Sequence, residues 1–202
     1  MATLLKLRPQ DHGRPLSLEE FLGAAQEEGF QYELIDGRLY VSPVPNLPQG
    51  RVERWVYRKL DRYADEHPEA INYVHFKSRL FVPVRDKVTA PELDVAAYRN
   101  FPIESPFDEV HWDEVSPVLV AEVMGSDDPD KDLVRNVELY CQVPSIEEYW
   151  IFDTRQSAEA PSLLVYRRRD RRRWRKPLML GPGSTYTTDL LPGFSLVIDP
   201  RT

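Results

Sequence analysis

The chain predicts an α+β fold around a mixed β-sheet, and three observations carry that expectation. Amphipathic helical stretches and β-prone runs follow one another without strict strand–helix–strand alternation. Asp36-Gly37, set between two β-prone runs, is a strong hairpin signal, because a type I′ turn needs positive φ at both central residues. Over 202 residues, 42% hydrophobic and 29% charged content is enough for a real core under a polar surface. A single domain over 1–202 is expected, with 1–16 as an N-terminal extension and 101–117 as a long surface loop.

The elements follow in order. Ser17-Leu18-Glu19-Glu20 has the form of a capping box, in which Ser17 accepts from the backbone three residues on and Glu20 reaches back. A helix from Leu18 to about Glu28 is predicted, with Leu18, Phe21, Leu22 and Ala25 on one face and Gly29 as its stop. Gln31 to Ile35 and Arg38 to Val41 are the hairpin strands. By alternation Glu33 and Ile35 share one face and Tyr32 and Leu34 the other. Glu33 is therefore either a solvated face residue or a carboxylate aimed at a site. Pro43 to Pro48 is a proline-rich connection. From Gln49 to about Glu66, Val52, Trp55, Val56, Lys59, Leu60 and Tyr63 recur at helical spacing, giving a long amphipathic helix that ends near His67-Pro68.

Ile71 to Val84 reads as extended, and Arg85-Asp86 as a turn before a strand over Leu93 to Tyr98. Phe101 to Pro117, with its prolines and acids, is the surface excursion. Val118 to Met124 is the most apolar strand. Asp128 is placed to cap a helix with Pro129 in its first position. Leu133, Val137, Leu139 and Tyr140 face the core from that helix, and Pro144 closes it. Glu148 to Asp153 makes another strand, Leu163 to Arg169 and Arg172 to Leu180 an antiparallel hairpin, and Phe194 to Ile198 a last strand.

Composition narrows the function. No apolar run reaches the roughly 18 residues that a membrane span needs, and the N-terminal stretch is too interrupted for a signal peptide. The lone Cys141 has no internal disulfide partner, and no Cys/His spacing suggests zinc. No membrane association and a cytoplasmic location are the expectations. A two-fold homodimer is the commonest assembly a priori.

A net charge of −7 argues against a uniform coat of nucleic-acid-binding cations. The charge is uneven, however: Arg167 to Lys176 holds eight basic side chains against Asp170. Phosphate neutralisation by Arg167, Arg169, Arg171, Arg173 and Lys176 would favour DNA as a partner. A charged hairpin kept soluble by its own repulsion, or contact with an acidic surface of another subunit, fits the same run.

The chemistry is best sought in two acids. Asp94 in Leu93-Asp94-Val95-Ala96-Ala97 and Glu122 in Val120-Ala121-Glu122-Val123 each sit among the apolar neighbours of a buried strand. A carboxylate is costly there unless a cation or hydrogen bonds compensate it. On neighbouring strands the pair would make a hard-oxygen site suited to Mg²⁺ or Mn²⁺, to which Glu33 could add a third ligand. A phosphodiester nuclease needs such an ion to polarise the phosphoryl oxygen, activate water and offset leaving-group charge. The bland alternative is a wet strand-end acid in either position.

In several segments and in their order, the chain resembles the Uma-two family of restriction endonucleases, within the PD-(D/E)XK nuclease superfamily. The segments are Leu18-Glu19-Glu20-Phe21-Leu22 with Tyr32 to Gly37, Leu93 to Arg99, Val120 to Val123, Asp132 to Tyr140, and Glu148 to Asp153. The resemblance implies a restriction-endonuclease-like fold with a metal site along one end of a mixed sheet. It gives Asp94 and Glu122 as Mg²⁺ ligands and Glu33 as an auxiliary acid. It also implies a lysine on the helix after the Glu strand, and here the chain departs: that position is Asn136. Arg135 and Lys131 are close in sequence, but on an α-helix Arg135 is rotated roughly 100° from Asn136. The polar residue opening the long helix, commonly His, is Gln49, a further candidate for nucleic-acid contact.

The expected function is thus Mg²⁺-dependent DNA endonuclease activity, with Asp94 and Glu122 on the metal, Glu33 in support, and Arg135 or Lys131 in place of the lysine missing at Asn136. The rival expectation is a catalytically inactive nuclease-fold module for nucleic-acid binding or assembly.

Overall fold

In the computed structural model, which describes residues 5–83 and 87–202, the chain builds a seven-stranded mixed sheet and three two-stranded ribbons. In the first ribbon β1 (Lys6–Leu7) runs parallel to β2 (Ala25–Gln26). Between them lies α1 (Leu18–Gly23), whose Ser17 and Glu20 close the predicted capping box. The helix ends at Gly23, not near Glu28, because Ala25 and Gln26 pair with Lys6 and Leu7 and tertiary pairing overrides local propensity.

The second ribbon is the Asp-Gly hairpin of β3 (Phe30–Ile35) and β4 (Arg38–Pro43). Asp36 and Gly37 have φ of 50° and 69°, the positive pair that the tight turn requires. Tyr32 and Leu34 pack with Leu7, Phe21 and Leu39, which leaves Glu33 on the opposite face. The hairpin leads into α2 (Leu47–Glu66), capped reciprocally by Asn46 and Gln49.

The central sheet comprises β5 (Tyr73–Phe76), β6 (Val95–Tyr98), β7 (Leu119–Met124), β8 (Glu148–Asp153), β9 (Ser162–Asp170), β10 (Arg173–Trp174) and β11 (Leu178–Leu180). Their order is β10-β9-β8-β7-β6-β5, with β11 also on β9. Only β7 and β8 are parallel, and a helical crossover joins them: a π-helical turn over Lys131–Arg135 that runs into α3 (Asn136–Cys141).

Side-chain alternation sends the two faces of the sheet to different partners. Val95, Ala97, Ala121, Val123, Trp150 and Phe152 pack with Val52, Val56 and Leu60 of α2. Ala96, Tyr98, Val120, Tyr149 and Ile151 pack with Leu139 and Tyr140 of α3. The third ribbon, β12 (Thr185–Thr187) with β13 (Ser195–Val197), adds Tyr186 and Leu196 to the α2 side. β12 is too short to have been read from sequence.

Two further expectations change. Of the described part of the stretch from Ile71, Tyr73–Phe76 forms a strand, and after Lys77 turns out of that ladder at φ 50° Arg79 makes an isolated bridge to Glu92. The turn expected at Arg85-Asp86 lies outside the described residues. The loop after Phe101 is no loose excursion either, because Phe101, Trp112 and Val115 pack on the α3 side of the core. Among the described residues, no helix is long and apolar enough to cross a membrane.

Candidate active site

Strand register brings the two acids together. β6 is antiparallel to β7 with Val95 opposite Ala121, so Asp94, one residue before the ladder, is level with Glu122, whose side chain leaves the sheet toward α3. Both are buried. The Asp94 amide donates to Glu122 Oε2 at 3.3 Å, and the Val123 amide donates to Asp94 Oδ2 at 2.8 Å. Tyr140 of α3 donates its hydroxyl to Glu122 Oε1 at 2.6 Å. Lys77, held in the left-handed region that non-glycine residues seldom adopt, donates to Asp94 Oδ1 at 2.5 Å and to Glu53 at 3.3 Å.

Glu33 reaches the same site from the hairpin. It is 1% exposed, accepts from the Glu92 amide at 3.1 Å and receives the Arg135 guanidinium at 2.9 Å. Arg135 also donates to Asn136 Oδ1, and Asn136 donates to Asp132 Oδ1 at 3.1 Å. Arg135 therefore serves Glu33, and the buried Asn136 is a bridging amide within the helix.

The π-helical turn decides which cation faces the acids. The Asn136 amide bonds the Lys131 carbonyl, five residues back. In an α-helix, Lys131 and Asn136 would stand about 140° apart at 100° per residue. The wider turn narrows that angle, and such turns recur at functional sites. Lys131 thus comes toward the face that Asn136 occupies. It lines a cavity of about 210 Å³ together with Asp94, Asp132, Tyr40, Asp128 and Gln49.

The electrostatics follow from crowding. Glu33, Glu53, Asp94, Glu122 and Asp132 face Lys77, Lys131 and Arg135, which leaves a formal surplus of two negative charges. Burial and the neighbouring Asp94 and Asp132 push Glu122 well above the ordinary carboxylate range. Burial, with Asp94 as a further cause, raises Glu53 and Asp132 to about 7. Burial works against ionisation of Asp94 too, but Lys77 and Lys131 hold it below its ordinary value. Burial likewise pulls Lys131 down, while Glu33, Glu122, Asp94 and Asp132 together hold it firmly protonated.

Comparison with known proteins places this chain in a family. The family model described as "Uma2: Putative restriction endonuclease" matches residues 18–199. The chain belongs to this family. A solved structure of similar fold is that described as "a putative nuclease belonging to DUF820", from Anabaena variabilis ATCC 29413. It is 17% identical, with a TM-score of 0.69 over 91% of this chain and 96% of that one. A comparison with curated proteins found no match. The Uma2 membership supports a nuclease function, and the solved structure shows the fold.

Within this Uma2 chain the remaining sequence candidates fall in two places. Gln49 sits beside the site: its Nε2 lies so close to Gly125 that a Cβ there would stand 1.8 Å from it. The basic run does not join it. Glu122 is level with Ile151 and Leu164, whereas Arg167 pairs with Glu148 at the other end of β8. Arg169 is thus about 16 Å farther along β9 than Leu164, at 3.3 Å per residue. Arg169, Arg171 and Lys176 are exposed there, Arg173 pairs with Asp170 at 3.1 Å, and Arg167 is half-buried. Arg168 turns inward, donating to the carbonyls of Tyr140, Cys141, Val143 and Ile146 and stacking over Trp174.

Sequence reasoning missed Lys77, Glu53, Asp132 and the part played by Tyr140. Glu53 carried a signal, as an acid at the margin of the apolar stripe of α2. Lys77 carried none, because its role depends on a left-handed backbone that no local residue type announces.

Proposed function

We propose that the protein hydrolyses phosphodiester bonds in DNA with Mg²⁺ or Mn²⁺ held by Asp94 and Glu122. The observation that supports this reading most is the approach of those two carboxylates at one sheet end with Lys131 turned onto them. The donor set fits a hard divalent cation: the acids offer oxygen alone, and Asp94 is held ionised beside Glu122. Among the described residues, no three His, Cys, Asp or Glu side chains form a cage for a metal. Mg²⁺ does not require such a cage, being commonly held by one or two carboxylates with waters and substrate oxygens completing its shell.

The bound ion would supply charge to the phosphoryl oxygen and lower the pKa of the attacking water. Tyr140 fixes the rotamer of Glu122, and the Val123 amide fixes that of Asp94. Lys131, borne on a rigid helical turn, offers its ammonium to the charge that develops on the phosphoryl group. Arg135 neutralises Glu33 and keeps that acid from repelling the substrate.

Purified protein with Mn²⁺ or Mg²⁺ should nick supercoiled plasmid, and Asp94→Asn should remove the activity. Equal nicking by the variant and the wild type would refute the assignment. One observation favours a second reading, a silent nuclease-fold module: Lys77 already lies 2.5 Å from Asp94 Oδ1, where an ion would have to compete with it. Calorimetric titration with Mn²⁺ separates the two, since the silent module would show no heat of binding at millimolar ion.

A further inference from the structure

We infer that the solvent face of α2 is the track along which this protein holds the backbone of duplex DNA. The inference rests on the nuclease reading for the class of ligand. Arg51, Arg54, Arg58, Lys59 and Arg62 line a groove of about 740 Å³ beside the C-terminal residues Pro200, Arg201 and Thr202. At 100° per residue, Arg51, Arg58 and Arg62 fall within about 40° of one another, and Arg54 and Lys59 flank them. The stripe is about 16 Å long at 1.5 Å per residue, the length of four to five base-pair steps along one strand.

Three features separate this stripe from an ordinary solvated helix face. First, none of the five cations closes an ion pair among the described residues, whereas Arg14, Arg99, Arg155, Arg173 and Arg201 all pair with nearby acids. Second, the acids of this stretch are engaged elsewhere: Glu53 is turned inward to Lys77, and Asp61, at the edge of the stripe about 20° round the helix from Arg54, is hydrogen-bonded with Tyr57. Glu159 is the acid that remains in the groove. In a chain of net charge −7, so uncompensated a cluster is a strong local field.

Third, the N-terminal end of the stripe shares its helical turn with a residue of the candidate active site, on the other side of the helix. Gln49, in the first turn of α2, lines the cavity that holds Asp94 and Lys131. Pro48 and Arg51, its neighbours in the same turn, line the groove. A strand whose scissile phosphate lies at Asp94 can therefore continue across the N-terminal end of α2 onto the arginines. The basic hairpin at Arg167–Lys176 has no such continuity, since it stands at the other end of the sheet.

The test is binding of a fluorescent 20-base-pair duplex in EDTA, followed by anisotropy between 50 and 200 mM KCl. The triple variant R51A/R58A/R62A should weaken binding at least tenfold and flatten the slope of log K against log salt by about 2 to 3, at roughly 0.9 for each phosphate no longer neutralised. R51K/R58K/R62K keeps the charge and should keep the slope, which guards against a folding defect in the alanine variant. R169A/R171A/R173A should change neither quantity.

The proposal is overturned if the wild type shows no duplex binding, if the α2 alanine variant binds with unchanged slope, or if the hairpin variant bears the loss. It is also overturned if polyglutamate competes as well as the duplex, which would assign the stripe to an acidic protein surface. Failure of the nuclease reading looks different. Protein that binds DNA through α2 but never cuts keeps the track and removes the enzyme. Protein that cuts as well without Arg51, Arg58 and Arg62 keeps the enzyme and removes the track.

Discussion

At the scale of single residues, Lys131 carries the most consequence. The family resemblance puts a lysine at position 136, where this chain has Asn136, and the π-helical turn carries Lys131 toward the same acids. A cation five residues earlier in the sequence is thereby brought to the acids. Lys131→Met should lower DNA nicking by about 10²- to 10³-fold, the scale of losing one preorganised donor at a transition state. Adding Asn136→Lys to that variant should restore a measurable part of the rate. Single-turnover cleavage checks both. A double variant as inactive as Lys131→Met, with an unchanged circular-dichroism spectrum, would show that the two positions are not interchangeable.

At the scale of elements, the β9–β10 hairpin shows why a basic run is hard to read from sequence. Period-two alternation splits its arginines between faces, and Arg168 spends its guanidinium on carbonyls at the end of α3 and in the turn beyond it. It satisfies acceptors that a helix C-terminus leaves open. Arg168→Lys keeps the charge but loses the planar fork. We expect it to destabilise the fold by about 2 kcal/mol, since several half-buried carbonyls lose a donor, as urea denaturation would read. A shift below about 0.5 kcal/mol, the usual range for a surface substitution, would mean that the arginine is a surface charge after all.

The elements also show what sequence could disclose. The Asp-Gly hairpin, the long helix, the Glu122 strand and Asp128 as a cap were all legible, because each rests on local turn chemistry or side-chain period. The proximity of Asp94 to Glu122 was legible as a wager on two acids in apolar strands. What escaped depends on partners distant in sequence or on irregular backbone. The early end of α1 follows from pairing with Lys6 and Leu7, and the Lys77 interaction follows from a left-handed residue. The approach of Lys131 to the acids follows from one widened turn.

At the scale of the whole molecule, Glu148 couples the C-terminal segment to the central sheet. It lies at the start of β8, 4% exposed, and takes the indole N–H of Trp150 at 2.8 Å, the Tyr186 hydroxyl at 3.0 Å and the Thr188 hydroxyl. Tyr186 and the residues after it form part of the core beneath α2, so this carboxylate helps hold β12 and β13 in place. Burial raises its pKa, although the three donors and Arg167 oppose the shift. A raised folded-state value means that the folded protein binds more protons than the unfolded chain. The contribution is therefore complete below the unfolded value of about 4.3 and is lost as pH rises through the folded value. Glu148→Ala should cost about 2–4 kcal/mol, because Trp150 and Tyr186 would keep buried donors without acceptors. Glu148→Gln should cost less and should flatten the fall of stability with pH just above the carboxylate range. Thermal melts of the wild type and both variants between pH 4 and 7 test this, and parallel curves for the wild type and Glu148→Gln would deny Glu148 its part in the pH dependence.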